Sequence, residues 1–400
     1  MNQGLALFDR RPAALLVVSG TAGESFARLN ALEGIARSLL VGIVPLLVLE
    51  SLGSKELVTR AYLIASLLTL AITLNFANLE RRLQRRWVVT LGVGFTLCAM
   101  TILLFGKGMI VAMAVGLQQA AASLFSVCLS LYIMDYIGRQ ELIYTETRRM
   151  LYTGIVWLVG PTLGLWIWDS RLAWLPFVLT ACGALGMLSY FWYLRLGSKA
   201  IRRAQSRPPS ILRIIPRYFQ QPALRIAYWI TLSRSIFWVT LFIYGPIYVV
   251  ESGLPTWVAG GLLSLASALL LISPFIRRLA GRWGTRRLII SGLLLAGSSI
   301  LMLFLIGAPK PLGLLFWMSA ALGGATLDVL GNIPFMRMVR ARERTEMTMV
   351  FSTWREGSQL LTPLLVSAVL LVAPFEVYYV LLAGLLYAAA YTATWLPRRL

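Results

Sequence analysis

The chain has 400 residues, of which 58% are hydrophobic and only 13% charged, and its mean hydropathy is +0.76. Soluble domains lie nearer half apolar and a quarter charged, so the composition excludes an ordinary soluble protein and implies an integral membrane protein. The net charge of +21 is read first as loop charge that orients membrane helices, and nucleic acid is not an expected partner. His is absent and Cys98, Cys128 and Cys182 each stand alone in apolar runs, so neither a metal site nor a disulfide framework is expected.

A spanning helix needs about 20 mostly apolar residues. Residues 1–28 form an expected cytoplasmic or interfacial segment, because the apolar core of RPAALLVVSG is short even for a signal peptide. Six expected spans follow at 30–49, 61–79, 87–105, 109–135, 150–168 and 172–194. A basic linker at 197–225 is broken by Pro208, Pro209, Pro216 and Pro222, and its RIIPRYF stretch can lie on anionic headgroups. Six more spans follow at 226–250, 256–276, 288–306, 312–336, 347–372 and 377–396. The expected fold class is thus an all-α integral membrane protein of about twelve transmembrane helices, with bundles at 29–196 and 226–400.

The loops alternate in charge. Arg81, Arg82, Arg85 and Arg86, then Arg139, Arg148 and Arg149, then Arg277, Arg278, Arg282, Arg286 and Arg287 mark one side. SLGSKE, GKG, DSR, ESGLPT, GAPKP and APFE mark the other. Positive loops stay in the cytoplasm, which predicts a cell (inner) membrane protein with both termini cytoplasmic.

PLLVLES begins at Pro45 and PIYVVES at Pro246, 201 residues later. Arg81, Arg85 and Arg86 stand the same distance before Arg282, Arg286 and Arg287. Pro161 and Pro363 are 202 apart. A constant offset at ordered landmarks indicates two homologous halves. An even number of helices per half makes the repeat parallel, with its pseudo-axis along the membrane normal.

With these landmarks the chain resembles the major facilitator superfamily of secondary transporters, over about residues 29–397. That family's signature loop, G-x-L-x-D-R-x-G-R-R, is approached by RLAGRWGTRR, with Gly281 at its acidic position, and by NLERRLQRR, with Glu80 at that position and Leu83 where the turn glycine belongs. The resemblance implies that Glu80, Arg81, Arg85, Gly281, Arg282, Gly284 and Arg286 form a conformational gate. It also implies that helices 1, 4, 7 and 10 line a central cavity, in what is expected to be a monomer. The alternative for the loop is a plain positive anchor at the cytoplasmic surface.

Ionisable residues within a span are costly and are functional candidates by default. Glu33 and Arg37 lie i,i+4 on helix 1, and Arg234 stands 201 residues after Glu33. Asp328, with Asn332 one turn on, is a candidate partner for Arg234. Arg355 and Glu356 lie on helix 11, and Asp135 is expected at the interface. A static set of ion pairs is the competing reading. Helix 4 offers Gln118 and Gln119, where drug/proton antiporters of the family often carry an Arg. Helix 5 resembles the Gly-Pro motif of those antiporters only at Gly154, Gly160, Pro161 and Gly164. Trp157, Trp238 and Trp354 are among the aromatic residues suited to amphipathic or cationic solutes.

No nucleotide-binding G-x-x-x-x-G-K-[ST] occurs, no cofactor is expected, and an enzyme is not expected. The leading expectation is proton-coupled export of a small amphipathic organic solute by alternating access, with Glu33, Asp328 and Glu356 as candidate coupling carboxylates. The alternatives are an uptake permease for an organic anion drawn to Arg37 and Arg234, and a transporter-like sensor or scaffold.

Overall fold

A backbone in hydrocarbon must satisfy its own hydrogen bonds, so long apolar segments of this kind become helices. The computed structural model describes residues 22–136, 139–194, 211–340 and 343–397. The expectations for 1–21, 195–210 and the side chains of Arg81 and Asp135 lie outside the described residues.

The first part comprises α1 (Ala22–Ser38), α2 (Ile43–Leu52), α3 (Lys55–Leu74), α4 (Phe76–Phe105), α5 (Met109–Tyr136), α6 (Arg139–Trp168) and α7 (Leu175–Tyr193). Then come α8 (Ile211–Phe219), α9 (Pro222–Glu251), α10 (Thr256–Ala268) with a 3-10 turn, α11 (Ser273–Trp283) and α12 (Thr285–Ile306). The last are α13 (Gly313–Leu330), α14 (Ile333–Met338), α15 (Arg344–Phe351), α16 (Trp354–Leu370) and α17 (Val377–Ala393). Each of the twelve expected spans falls on helix. Among the described residues ten spans have the length and apolarity to cross a membrane. Of the other two, 347–372 is divided between α15 and α16, and α17 is a shorter apolar helix.

Two spans break for a visible reason. Proline lacks an N–H and its ring displaces the carbonyl four residues earlier. Pro45 acts in this way on Val41, and the chain unwinds between α1 and α2. There the Leu39 N–H reaches the Ile35 carbonyl at 3.4 Å and the Val41 N–H reaches that of Ser38 at 3.4 Å, both long for hydrogen bonds. Pro334 opens α14 after the break at Gly331 and Asn332. Pro246, the repeat mate of Pro45, lies inside continuous α9.

Packing divides the chain into two units. One holds Met1–Val44 with Ile64–Gln205. In it α1 packs on α6 and α7, and α4 packs on α5 and α7, around Phe26, Val88, Leu124, Tyr132 and Phe191. The other holds Pro45–Leu63 with Ser206–Leu400. Its centre is α9, which packs against α10, α13, α16 and α17. Within this unit the Lys55 ammonium meets Glu251 at 2.6 Å and lies 4.9 Å from the Phe375 ring, and the Thr59 and Tyr244 hydroxyls are 2.8 Å apart. The RIIPRYF stretch forms α8, which buries Ile214 and Tyr218 in a core with Phe335, Met347 and Phe351. Gln221 and Arg217 donate to Glu343 at 3.1 and 2.5 Å and hold its carboxyl below its ordinary pKa.

The two signature loops turn in the same way. Gly284, between α11 and α12, has φ 88° and ψ 139°. Gln84, inside α4, has φ 58° and ψ 147°. The turn of the first copy therefore falls on Gln84, one residue after the Leu83 expected from the aligned repeat. Glycine adopts this conformation freely, whereas a side chain there costs on the order of 1–3 kcal/mol. Gln84→Gly is expected to stabilise the protein by about 1 kcal/mol, after the larger backbone entropy of glycine is offset. The check is the apparent melting midpoint in detergent, which should rise for Gln84→Gly and fall for the reciprocal Gly284→Gln.

Candidate functional site

The first cluster is built on α1 in the first unit. Its place is set by α6, whose Gly160 and Gly164 let the two backbones nearly touch. A Cβ on Gly164 would lie 1.9 Å from the Leu39 carbonyl oxygen, and one on Gly160 would lie 2.0 Å from the Ser38 hydroxyl. The Asn30 amide donates to the Thr153 hydroxyl at 2.6 Å along the same seam. Pro161 and Gly154 are buried in α6. The Gly-Pro motif thus seats helix 1 at its break.

One turn from the break, the Arg37 guanidinium lies 5.3 Å from the centre of the Trp157 ring. Arg37 Nε is 3.6 Å from a Glu33 carboxylate oxygen, which is an ion pair but too long for a good hydrogen bond. That Nε is buried and makes no hydrogen bond. Both residues line a cavity of about 40 Å³ with Thr96, Gln118, Phe125, Thr180 and Met187. Gln119, on the same helix as Gln118, does not line it and leaves a buried carbonyl oxygen unbonded.

The second cluster is on α9 in the second unit. Arg234 is buried, and its Nε lies 3.2 Å from Asp328 Oδ1. It also donates to the Leu327 carbonyl at 3.3 Å, at the C-terminal end of α13. That carbonyl already accepts from the Gly331 N–H at 2.6 Å, so the cation is a second donor to it, at the negative end of the helix dipole. The Trp354 ring lies 5.0 Å from the Arg234 guanidinium and 5.5 Å from that of Arg355. The Asn332 side-chain carbonyl is buried without a hydrogen-bond partner, and Trp238 lies with its indole N–H towards Asp328 and stacks on Phe242 at 5.8 Å.

The structure therefore brings Glu33, Arg37 and Gln118 together, and separately Arg234 and Asp328, with Asn332 at the adjoining helix break. Arg355 and Glu356 instead occupy the first turn of α16, Arg355 exposed, because the helix restarts after Ser352 and Thr353. An acid in a first turn faces the positive end of its helix. In the first signature loop Glu80 accepts from Arg85 at 2.8 and 2.9 Å, and Arg85 lies buried 5.1 Å from the Tyr132 ring. In the second, Gly281 and Arg282 are exposed, and Arg286 is half-buried. Thr180 went unremarked in the sequence, where it is one hydroxyl among many on apolar helices.

The sequence model of the Major Facilitator Superfamily matches residues 29–276, most of the chain. The chain belongs to the Major Facilitator Superfamily. Its fold is that of solved transporters. The nucleoside transporter NupG aligns with TM-score 0.71 at 12% identity, over 93% of this chain and 98% of that one. The D-xylose-proton symporter aligns with TM-score 0.70 at 14% identity, over 94% and 98%. A bacterial homologue of the iron transporter ferroportin, in its inward-facing state, aligns with TM-score 0.66 at 16% identity, over 93% and 96%. No curated protein matches the sequence. The facilitator family and these relatives make the chain a multi-pass membrane transporter.

Removing one member of a buried pair leaves the other uncompensated at a cost of about 3 kcal/mol or more. Arg234→Met is therefore expected to lower stability by about 3 kcal/mol, and Asp328→Asn on that background to restore part of the loss. Apparent melting midpoints across the double-mutant cycle check this; additive losses would mean the two residues do not act as a pair.

Proposed function

We propose that this facilitator exports a small amphipathic organic solute in exchange for protons, by alternating access, with Glu33 as the coupling carboxylate. The observation that carries the reading is the looseness of the Glu33–Arg37 pair. At 3.6 Å, with Arg37 Nε making no hydrogen bond, little is lost when Glu33 exchanges its arginine for a proton. Arg37 then keeps the face of Trp157 as a cation–π partner. Arg234 Nε likewise makes no hydrogen bond, but the Arg234–Asp328 pair is shorter and its guanidinium is anchored on a backbone carbonyl, which suits a fixed element of the solute site.

Each cluster carries one acid and one base. A balanced cluster favours a solute with little net charge, and in the second unit Trp238 and Asn332 offer an aromatic face and a hydrogen-bond acceptor beside it. That balance weighs against uptake of an organic anion, which would need an arginine with no carboxylate beside it. Proton coupling is a named property of the D-xylose-proton symporter, and its likeness supports a proton-driven cycle here. The export direction rests on the Gly-Pro pattern of helix 5. The bundles 29–196 and 226–400 are taken as the moving bodies, joined by 197–225. The arginine-rich loops support a topology with both termini in the cytoplasm, beside anionic headgroups.

The test is carried out in proteoliposomes loaded with a pH-sensitive dye. A panel of neutral, zwitterionic, cationic and anionic amphipathic solutes is screened for proton flux coupled to solute movement. Glu33→Gln is expected to lower coupled proton flux at least about tenfold, while solute-for-solute exchange continues. Solute movement indifferent to an imposed pH gradient, or unchanged coupling in Glu33→Gln, would overturn the proposal.

A further inference from the structure

The cavity beside Glu33 is too small for an organic solute and is not lined as a dry packing defect would be. Its volume of about 40 Å³ leaves room for roughly two or three waters, at about 10–15 Å³ of probe volume each. Apolar cavities stay empty, whereas a hydrated one needs polar partners for each water. Three kinds of partner line this one. Glu33 and Arg37 supply charge, with Arg37 Nε buried and unbonded. Gln118 and Thr96 supply amide and hydroxyl groups from α5 and α4. Thr180, on α7, is 1% exposed, and its hydroxyl has no hydrogen-bond partner.

The Thr180 hydroxyl carries most weight. A buried hydroxyl without a partner costs about 1–3 kcal/mol. A helical threonine normally avoids this by donating to the carbonyl four residues back. Thr59, Thr69, Thr73, Thr90, Thr231 and Thr362 all do so in this chain. Thr180 does not, and it lines the cavity that Glu33 also lines. Among the described residues lining that cavity, Glu33 and Arg37 are the titratable or charged groups.

We propose that this cavity is a built water site, in which Thr180 is the positioning residue for a short chain of ordered waters that hydrogen-bond Glu33. The waters hold the proton that Glu33 takes up and gives back, separately from the solute. The proposal rests on the reading of Glu33 as the coupling carboxylate, but the presence of water can be tested without it. No bond other than an O–H bond changes: one water gives a proton to the carboxylate and regains one from the next water in line.

The experiment is X-ray radiolytic hydroxyl labelling of the purified full chain in lipid nanodiscs. Radicals formed from bound water modify side chains that bulk solvent does not reach. Met187 lines the cavity and is only 4% exposed, so it is the reporter. Fast labelling of Met187 is expected in the wild type, at least about fivefold slower labelling in Thr180→Val, and recovery in Thr180→Ser. The same variants are then assayed in dye-loaded liposomes with a solute from the panel above. Thr180→Val should lose coupled proton flux while solute exchange persists, and Thr180→Ser should retain both. An unlabelled Met187 in the wild type would show a dry cavity and overturn the proposal. Thr180→Val indistinguishable from wild type would do the same, as would equal loss of proton flux and exchange with no rescue by Ser. A labelled Met187 with solute flux indifferent to the pH gradient would uphold the water site and overturn the coupling role of Glu33.

Discussion

The contact on which the first unit depends is the close approach of α1 and α6 at Gly160 and Gly164. Lipid tails are as apolar as leucine, so helices in a bilayer gain little from burying apolar faces on one another. Small residues replace that drive by letting backbones come within dispersion distance. Here the approach is close enough that a single methyl at Gly164 would collide with the Leu39 carbonyl. The seam fixes the axial position of helix 1, since Asn30 then meets Thr153 and Arg37 meets Trp157. Glu33 lies one turn before Arg37, so its place beside the cavity follows from the glycines. A motif suggestive of transport direction has, in this chain, an immediate packing role.

The charged clusters share a second logic. A broken helix leaves carbonyls without partners, which is expensive away from water. Arg37 sits in the last turn of α1, just before its break. Arg234 reaches the last turn of α13 and adds a second donor to the Leu327 carbonyl, which also accepts from the Gly331 N–H. An arginine at each break answers the helix dipole, and the carboxylate beside it answers the arginine. Local neutrality keeps four ionisable residues affordable within spans. It also leaves the two carboxylates unequal, since only Asp328 faces an arginine anchored on backbone.

Much of this was legible in the sequence, because charge, proline and repeat spacing are local signals. The 201-residue offset related Glu33 to Arg234, and the span limits followed from apolar length. The break in helix 1 was less legible. Pro45 is plain to see, but a proline disturbs the carbonyl a turn before it, so the unwinding appears nearer Arg37. The equivalent Pro246 leaves α9 continuous, a helix packed by six others among the described residues. Thr180 gave no sequence signal, because whether a helical threonine bonds its own backbone depends on the rotamer that packing selects. Arg355 and Glu356 read as deep because the apolar window ran through them, whereas the helix restarts at Trp354.

The first signature loop shows how one departure from a pattern is accommodated by another. Gln84 occupies a backbone conformation suited to glycine, at an expected cost of 1–3 kcal/mol. Glu80 and Arg85 flank that turn and close it with two contacts to one carboxylate oxygen. Arg85 is buried against Tyr132, where an unpaired guanidinium would be costly, so the pair is not readily opened. Charge-assisted bonds of this kind, worth about 1.5–3 kcal/mol each when shielded, are of the size needed to hold the strained turn. The acid at the family's gate position is therefore engaged within its own loop, and any role for it elsewhere in the cycle must first release Arg85 and the turn together.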